Sequence, residues 1–201
     1  MIEAWQRIFP GEERVGRDLL ARWSEPHRRY HTPEHLALML RVIDEHAGLA
    51  DDADAVRLAA WFHDAVYAVF AADNEERSAL LAVRALSGLG FCEARAEEVA
   101  RLVRLTAGHA VAPGDRNGGL LADADLAILA SEKPDYVRYA AAVRDEYAAV
   151  PDEVFRPARA GILRKLADLP DIFRVVPARA EWTARARANL EAEIRTLLDA
   201  P

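Results

Sequence analysis

The residues best suited to chemistry are His63 and Asp64, adjacent in the stretch AAWFHDAVYAV. Their neighbours Ala59, Ala60, Trp61, Phe62, Ala65 and Val66 are apolar. A carboxylate buried among them without a partner is strongly penalised, so it requires a cation or several hydrogen bonds. Consecutive helix positions point about 100° apart, yet both side chains can converge on an ion lying between their directions. The alternative is a carboxylate paired with an arginine, beside a histidine in an ordinary core hydrogen bond.

Asp125 strengthens the metal reading. The stretch LLADADLAILA is a second apolar segment, and it carries Asp123 and Asp125 with no base inside it. Two acids and a histidine drawn from separate apolar helices suit a bound divalent ion. Asp125 lies deeper in the segment and is the ligand candidate. Asp123 reads as a helix-start acid or as a partner to a ligand.

The motif HTPEH adds His31 and His35. If Thr32 caps the helix, His31 lies just outside it and His35 in its first turn, so their spacing does not place both on one ion. His35 shares the helix that continues into the core and is the better ligand. His31, with Arg28, Arg29 and the free N–H groups of the helix start, is placed to meet an anionic group. His109, in LTAGHAV, either favours a helix C-terminus as a simple dipole partner or contacts phosphate or a second metal. His27 and His46 read as exposed.

These residues need helices to position them. Glu12–Trp23 reads as a first helix, broken by Ser24-Glu25-Pro26. Thr32-Pro33-Glu34 starts a second, with a hydroxyl N-cap, proline at N1 and an acid in the first turn, running to about Ala47. Asp54 to about Val69 is apolar nearly all round and reads as the buried centre of a bundle. Further helices are expected from Asp73-Asn74-Glu75 to Gly88, over Glu93–Thr106, and, after a loop at Ala112–Gly119, over Leu120–Ala130. Asp135–Ala149, Asp152–Leu169 and a packing helix over Pro177–Ala200 complete the pattern.

Ala, Leu, Arg and Glu dominate the 201 residues and runs of alternating β-branched residues are missing, which predicts an all-α protein. No repeat or composition shift divides the chain, so a single domain over 1–201 is expected. The net charge of -7 offers nothing global to attract a nucleic-acid polymer. The one cysteine, Cys92, excludes an internal disulfide, fits a reducing compartment and reads as helix surface or core. MIEAWQRIFPGEE has no basic, then apolar, leader pattern. The most apolar segment, Leu58 to Ala72, is interrupted by His63-Asp64 and falls short of the ~20 residues of a membrane span. A cytoplasmic protein without a membrane partner is expected.

The order His35, His63-Asp64, Asp125 resembles the HD superfamily of metal-dependent phosphohydrolases, whose signature is H…HD…D on a helical bundle. The interval of 28 positions from His35 to His63 (63 minus 35) suits that family, Glu34-His35 resembles its first ligand position, and DADLAIL resembles its final Asp motif. More narrowly, YHTPEH, WFHDAVY, DNEERSA, DADLAIL and Glu146-Tyr147 are similar to an uncharacterised bacterial group of HD phosphohydrolases, over about residues 28–173.

The resemblance implies an HD-type bundle holding a divalent ion (Mn, Fe, Mg or Zn) with His35, His63, Asp64 and Asp125. It implies hydrolysis of a small phosphate ester, a nucleotide by preference, through a metal-activated water oriented by Asp64. Phosphate would be met by His31, Arg28, Arg29 and His109, and the leaving group by Glu75 or Glu76. One departure stands out: Val66, Tyr67, Ala68 and Val69 fill positions where some hydrolytic members place an acid. That departure motivates the alternative of a metal-containing nucleotide-binding or signalling protein with little hydrolase activity.

Overall fold

The richness in helix-forming residues is expressed directly: the computed structural model is all-helical over residues 1–199, the residues it describes, and contains no strand among them. Ala200, the expected end of the last helix, lies outside the described residues. The α-helices are α1 (Ile2–Ile8), α2 (Glu13–Trp23), α3 (Pro33–Glu45), α4 (Ala53–Phe62), α5 (Asn74–Gly88), α6 (Glu93–Leu105), α7 (Arg116–Asp125), α8 (Lys133–Glu146), α9 (Asp152–Ala167) and α10 (Arg179–Asp199). Two short 3-10 turns, Ala47–Leu49 and Leu126–Ala130, follow α3 and α7. Cys92 is exposed at the start of α6.

Helix α3 starts as its sequence dictates, with Thr32 extended at the N-cap and Pro33 at N1. The Thr32 hydroxyl does not cap the helix and instead approaches the Tyr30 carbonyl at 3.4 Å. One face of α3 buries His35, Leu36, Met39, Leu40, Val42 and Ile43. The Asp52 carboxylate caps α4 by accepting the Ala55 N–H at 2.9 Å. Every residue of α4 from Leu58 to Phe62 is fully buried, and the helix packs against α3, α5, α6 and α7 as the bundle centre.

Helix α4 is shorter than its apolar pattern predicts. It ends at Phe62 rather than near Val69, so His63 and Asp64 leave the helix at its C-terminus. Tertiary bonds explain the stop. The Ser78 hydroxyl of α5 accepts the Val66 N–H at 3.0 Å, and the Asn74 amide exchanges two hydrogen bonds with the backbone of Ala68 at 3.0 and 2.9 Å. Those side chains replace the partners a continued helix would supply.

Two other elements differ from expectation. Helix α1 has no capping signal in the sequence and forms because Trp5 packs among Phe9, Trp61 and Phe62, its indole donating to the Glu12 carbonyl at 2.7 Å. The loop expected over Ala112–Gly119 already turns helical at Arg116, because Asp115 accepts the Gly118 N–H at 2.8 Å. Helix α7 then tightens into a 3-10 turn directly after Asp125, at the point where its acid is presented.

Two apolar clusters meet at this turn. The larger, around Trp5, Trp23, Leu36, Met39, Trp61 and Phe62, lies among α1–α7. The smaller, around Leu129, Tyr136, Leu163, Phe173 and Leu190, lies among the second 3-10 turn and α8–α10. Trp182 packs against both. No helix among the described residues is long and apolar enough to cross a membrane.

Candidate metal centre

His35 from α3, His63 and Asp64 from the end of α4, and Asp125 from the end of α7 come together between the two clusters. The ligand atoms of His35, His63 and Asp64 all lie within 4.8 Å of one another. His63 Nε2 stands 3.1 Å from Asp64 Oδ2 and 3.8 Å from Asp125 Oδ1, and His35 Nε2 stands 3.2 Å from the same Asp125 oxygen. All four expected ligands therefore converge. His31, the rival first ligand, is set further out, its Nε2 3.8 Å from Asp64 Oδ2.

The outer nitrogens of both buried rings are occupied. His63 Nδ1 donates to the Ala60 carbonyl at 2.9 Å, and His35 Nδ1 pairs with the Tyr30 hydroxyl at 3.0 Å. Their Nε2 atoms are buried without any aligned hydrogen bond. Anchoring one imidazole nitrogen so that the other turns its lone pair inward is the arrangement of metal-binding histidines. Two such nitrogens and two carboxylates form an acceptor-only cage, which fits a cation and mixed N/O ligation. The Trp23 ring walls the cage, 5.2 Å from His63 and 6.1 Å from His35.

The two carboxylates dominate the electrostatics and draw in positive charge, a proton on His63 or a cation in its place. Burial disfavours a charged His63, but the carboxylates of Asp64 and Asp125 outweigh it and hold its pKa up at about 9. Burial would raise Asp64, yet His63 and His31 keep its carboxyl well below the usual range. Asp125 is likewise held low against burial by His109 and His35. For His35, burial wins and lowers the pKa, favouring the neutral ring that a metal takes.

The surrounding residues correct several expectations. Arg28 is not free to meet a substrate anion. Its guanidinium is fully buried between the Trp23 and Tyr67 rings and is bonded to Glu25, to the His31 carbonyl and to the Asp64 carbonyl at 2.8 Å. It shapes the turn that presents Asp64. The Arg29 guanidinium bonds the carbonyls of Pro26 and Arg28 on the exterior, beside a groove of about 980 Å³ that also touches His35. His109 reaches Asp125 Oδ2 at 2.9 Å, so it belongs to the cluster by way of that acid. Glu75 lies half-buried in the first turn of α5, and no hydrogen bond or ion pair among the described residues links it to the cluster. Glu76 is exposed and paired with Arg104 at 2.6 Å.

Two acids play parts their sequence positions did not disclose. Asp123 is neither a helix start nor a partner to a ligand: fully buried, it accepts the N–H groups of Arg174, Val175 and Val176 at 2.7, 2.8 and 2.9 Å. Glu146, in the Glu146-Tyr147 pair, accepts hydrogen bonds from the His31 loop and from Tyr67. Its only sequence signal was its place in the Glu146-Tyr147 pair that the family resemblance singles out. No family model, curated protein or solved structure matches this chain.

Proposed function

We propose that the chain is a metal-dependent phosphohydrolase of the HD type, acting on a small phosphate ester and by preference a nucleotide. The observation that carries the reading is the pair of buried Nε2 atoms of His35 and His63, without an aligned hydrogen bond and converging with the carboxylates of Asp64 and Asp125. Those four residues would hold a divalent ion, with Mn, Fe, Mg and Zn all compatible with the N/O donor set. When bound, such an ion supplies a more acidic water and a positive charge for a phosphoryl oxygen.

The chain's own residues decide from which side a substrate approaches. The side chains of His35 and His63 are closed off at 1% and 2% exposure, whereas Asp64, Asp125, His109 and His31 keep 12%, 14%, 17% and 23%. The phosphate therefore enters on the side of the two acids, flanked by His31 and His109. Asp64 lies between His63 and His31, where its carboxylate orients the attacking water.

A second reading has one observation in its favour. Val66–Val69 bring no acid to the site, and the Tyr67 hydroxyl among them is already bonded to Glu146. A metal-containing nucleotide-binding or signalling protein would then show saturable nucleotide binding without phosphate release across several metals. Elemental analysis of freshly purified protein, with a phosphatase screen that includes nucleotides, separates the two. Asp64→Ala protein that kept both its metal and its activity would sink the site assignment.

A further inference from the structure

Glu146 sits at the last residue of α8, 115 positions from His31, with its side chain fully buried. One carboxylate oxygen, Oε1, accepts the N–H groups of Arg29, Tyr30 and His31 at 2.8, 2.9 and 2.9 Å. The other, Oε2, accepts from His31 Nδ1 at 2.7 Å and from the Tyr67 hydroxyl at 2.9 Å. Three of these bonds shape the backbone that carries His31, and a fourth fixes its ring. The imidazole is bracketed by Tyr67 and Tyr30, with ring centroids 4.4 and 4.9 Å away. With Nδ1 bound to a fully buried acid, the exposed edge of the ring is Nε2, turned toward Asp64.

We propose that Glu146 is a positioning residue for His31, and that His31 Nε2 hydrogen-bonds to the phosphoryl group of a substrate held beside Asp64. The identity of that substrate rests on the phosphohydrolase reading above; the pairing itself rests on the geometry. His31 is in this view outside the metal ligand set. A carboxylate that fixes one imidazole nitrogen determines which nitrogen faces the reacting group and how the ring is oriented.

The test uses the full chain supplied with Mn²⁺, as wild type, His31→Ala, Glu146→Gln and the double variant. Metal content, phosphate release from a panel of small esters and nucleotides, and inorganic phosphate binding by calorimetry are measured on each. Both single variants are expected to keep the wild-type metal content and to lower kcat by about 100-fold with a smaller effect on KM. The double variant is expected to be no slower than His31→Ala, because the two residues act as a unit. The wild-type ring donates Nδ1–H to Glu146 and Nε2–H to phosphate and so carries both protons; in Glu146→Gln the amide offers an N–H to Nδ1, and ¹⁵N–¹H spectra should show the ring losing its Nδ1 proton. A purely structural role for Glu146 would not give that signature. If Glu146→Gln does not fold, His31→Ala decides alone, since it leaves the other four bonds of Glu146 in place.

His31→Ala with wild-type kcat and unchanged phosphate affinity overturns the proposal. So does a metal content that falls with the imidazole, which would make His31 a ligand. A wild type that releases no phosphate, yet binds inorganic phosphate through His31, overturns the hydrolase reading while supporting the His31 assignment. A wild type that does neither overturns both.

Discussion

His109 Nε2 stands 2.9 Å from Asp125 Oδ2, and the backbone that delivers it has a φ of 52°. Among the described residues it is the one non-glycine with a positive φ. Its N–H closes α6 by donating to the Leu105 carbonyl at 2.8 Å. The left-handed conformation costs a non-glycine residue roughly 1–2 kcal/mol, and such strain persists where the surroundings over-determine it. Here the consequence is at Asp125: with Oδ2 engaged by His109, Oδ1 is left facing His35 and His63.

His109→Ala should therefore weaken metal binding by about 10–100-fold, the usual effect of losing a ligand's outer partner. His109→Gly should weaken it equally while being about 1 kcal/mol more stable than the alanine variant, because glycine accepts the positive φ. Metal titration of the stripped protein and urea unfolding of the two variants measure both effects. Alanine protein that binds metal as tightly as the wild type would remove His109 from the site.

At the N-terminal end of the bundle, a methyl group should do what a deletion does elsewhere. A Cβ at Gly16 would lie 2.6 Å from Trp5 Cγ and 2.9 Å from Ile2 Cδ1. Trp5 is fully buried and cannot retreat without losing Trp61 and Phe62. Gly16→Ala is expected to destabilise by about 1–3 kcal/mol through overpacking, lowering the unfolding midpoint while metal content stays unchanged. A stability equal to that of the wild type would show that α1 yields freely.

The same α1 marks what the sequence could disclose. Long periodic segments such as α3, α5 and α6 are legible because their apolar spacing matches a buried face. Seven residues with one tryptophan carry too little period to reveal a helix made by tertiary packing. The end of α4 hides for a related reason. DAVYAV continues the apolar run, and the bonds that end the helix come from Asn74 and Ser78 of the next helix, 6 and 12 positions beyond their partners, where no periodicity announces them. His63, Asp64 and Asp125 stood out as polar residues in apolar surroundings, and His35 by its phase on the helix that continues into the core. Arg28 was misjudged because a basic side chain near a helix start gives no sign that the Trp23 and Tyr67 rings bury it. Glu146 was named only within a motif, since an acid at a helix end looks solvated until the chain folds back on it.

Glu146 also predicts how stability responds to acid. Burial would raise its pKa, but the hydrogen bond and charge of His31, with the backbone N–H groups of His31 and Arg29, bring it down from 4.5 to about 2. The groups facing it are His31, Tyr67 and the 29–31 backbone. A depressed folded pKa means that the unfolded chain takes up the proton first. The stabilisation is complete well above pH 4.5 and is lost as pH falls through that value toward 2, amounting to roughly 3 kcal/mol. Other buried acids add to the wild-type slope, so the comparison is with Glu146→Gln, whose unfolding free energy should fall less steeply between pH 5 and pH 3. Parallel slopes in urea titrations across that range would contradict the assignment.

Asp123 gives the sharpest contrast between a structural acid and the proposed metal ligand Asp125, two residues away. Its carboxylate takes the N–H groups of Arg174, Val175 and Val176 and so fastens the segment before α10 to α7. Asp123→Ala strands three donors, each costing about 1–3 kcal/mol if left dry. Partial access of water reduces the sum, and a net loss of about 3–5 kcal/mol is expected, a drop of roughly 10 °C in midpoint for a domain of this size. Asparagine keeps one acceptor oxygen but turns an N–H toward the same donors, so it should rescue only a small part. Amide exchange at Arg174–Val176 should accelerate in both variants, while metal content stays at the wild-type value because Asp125 keeps its bond to His109. Protein that lost its metal but kept those amides protected would place Asp123 with the ligands instead.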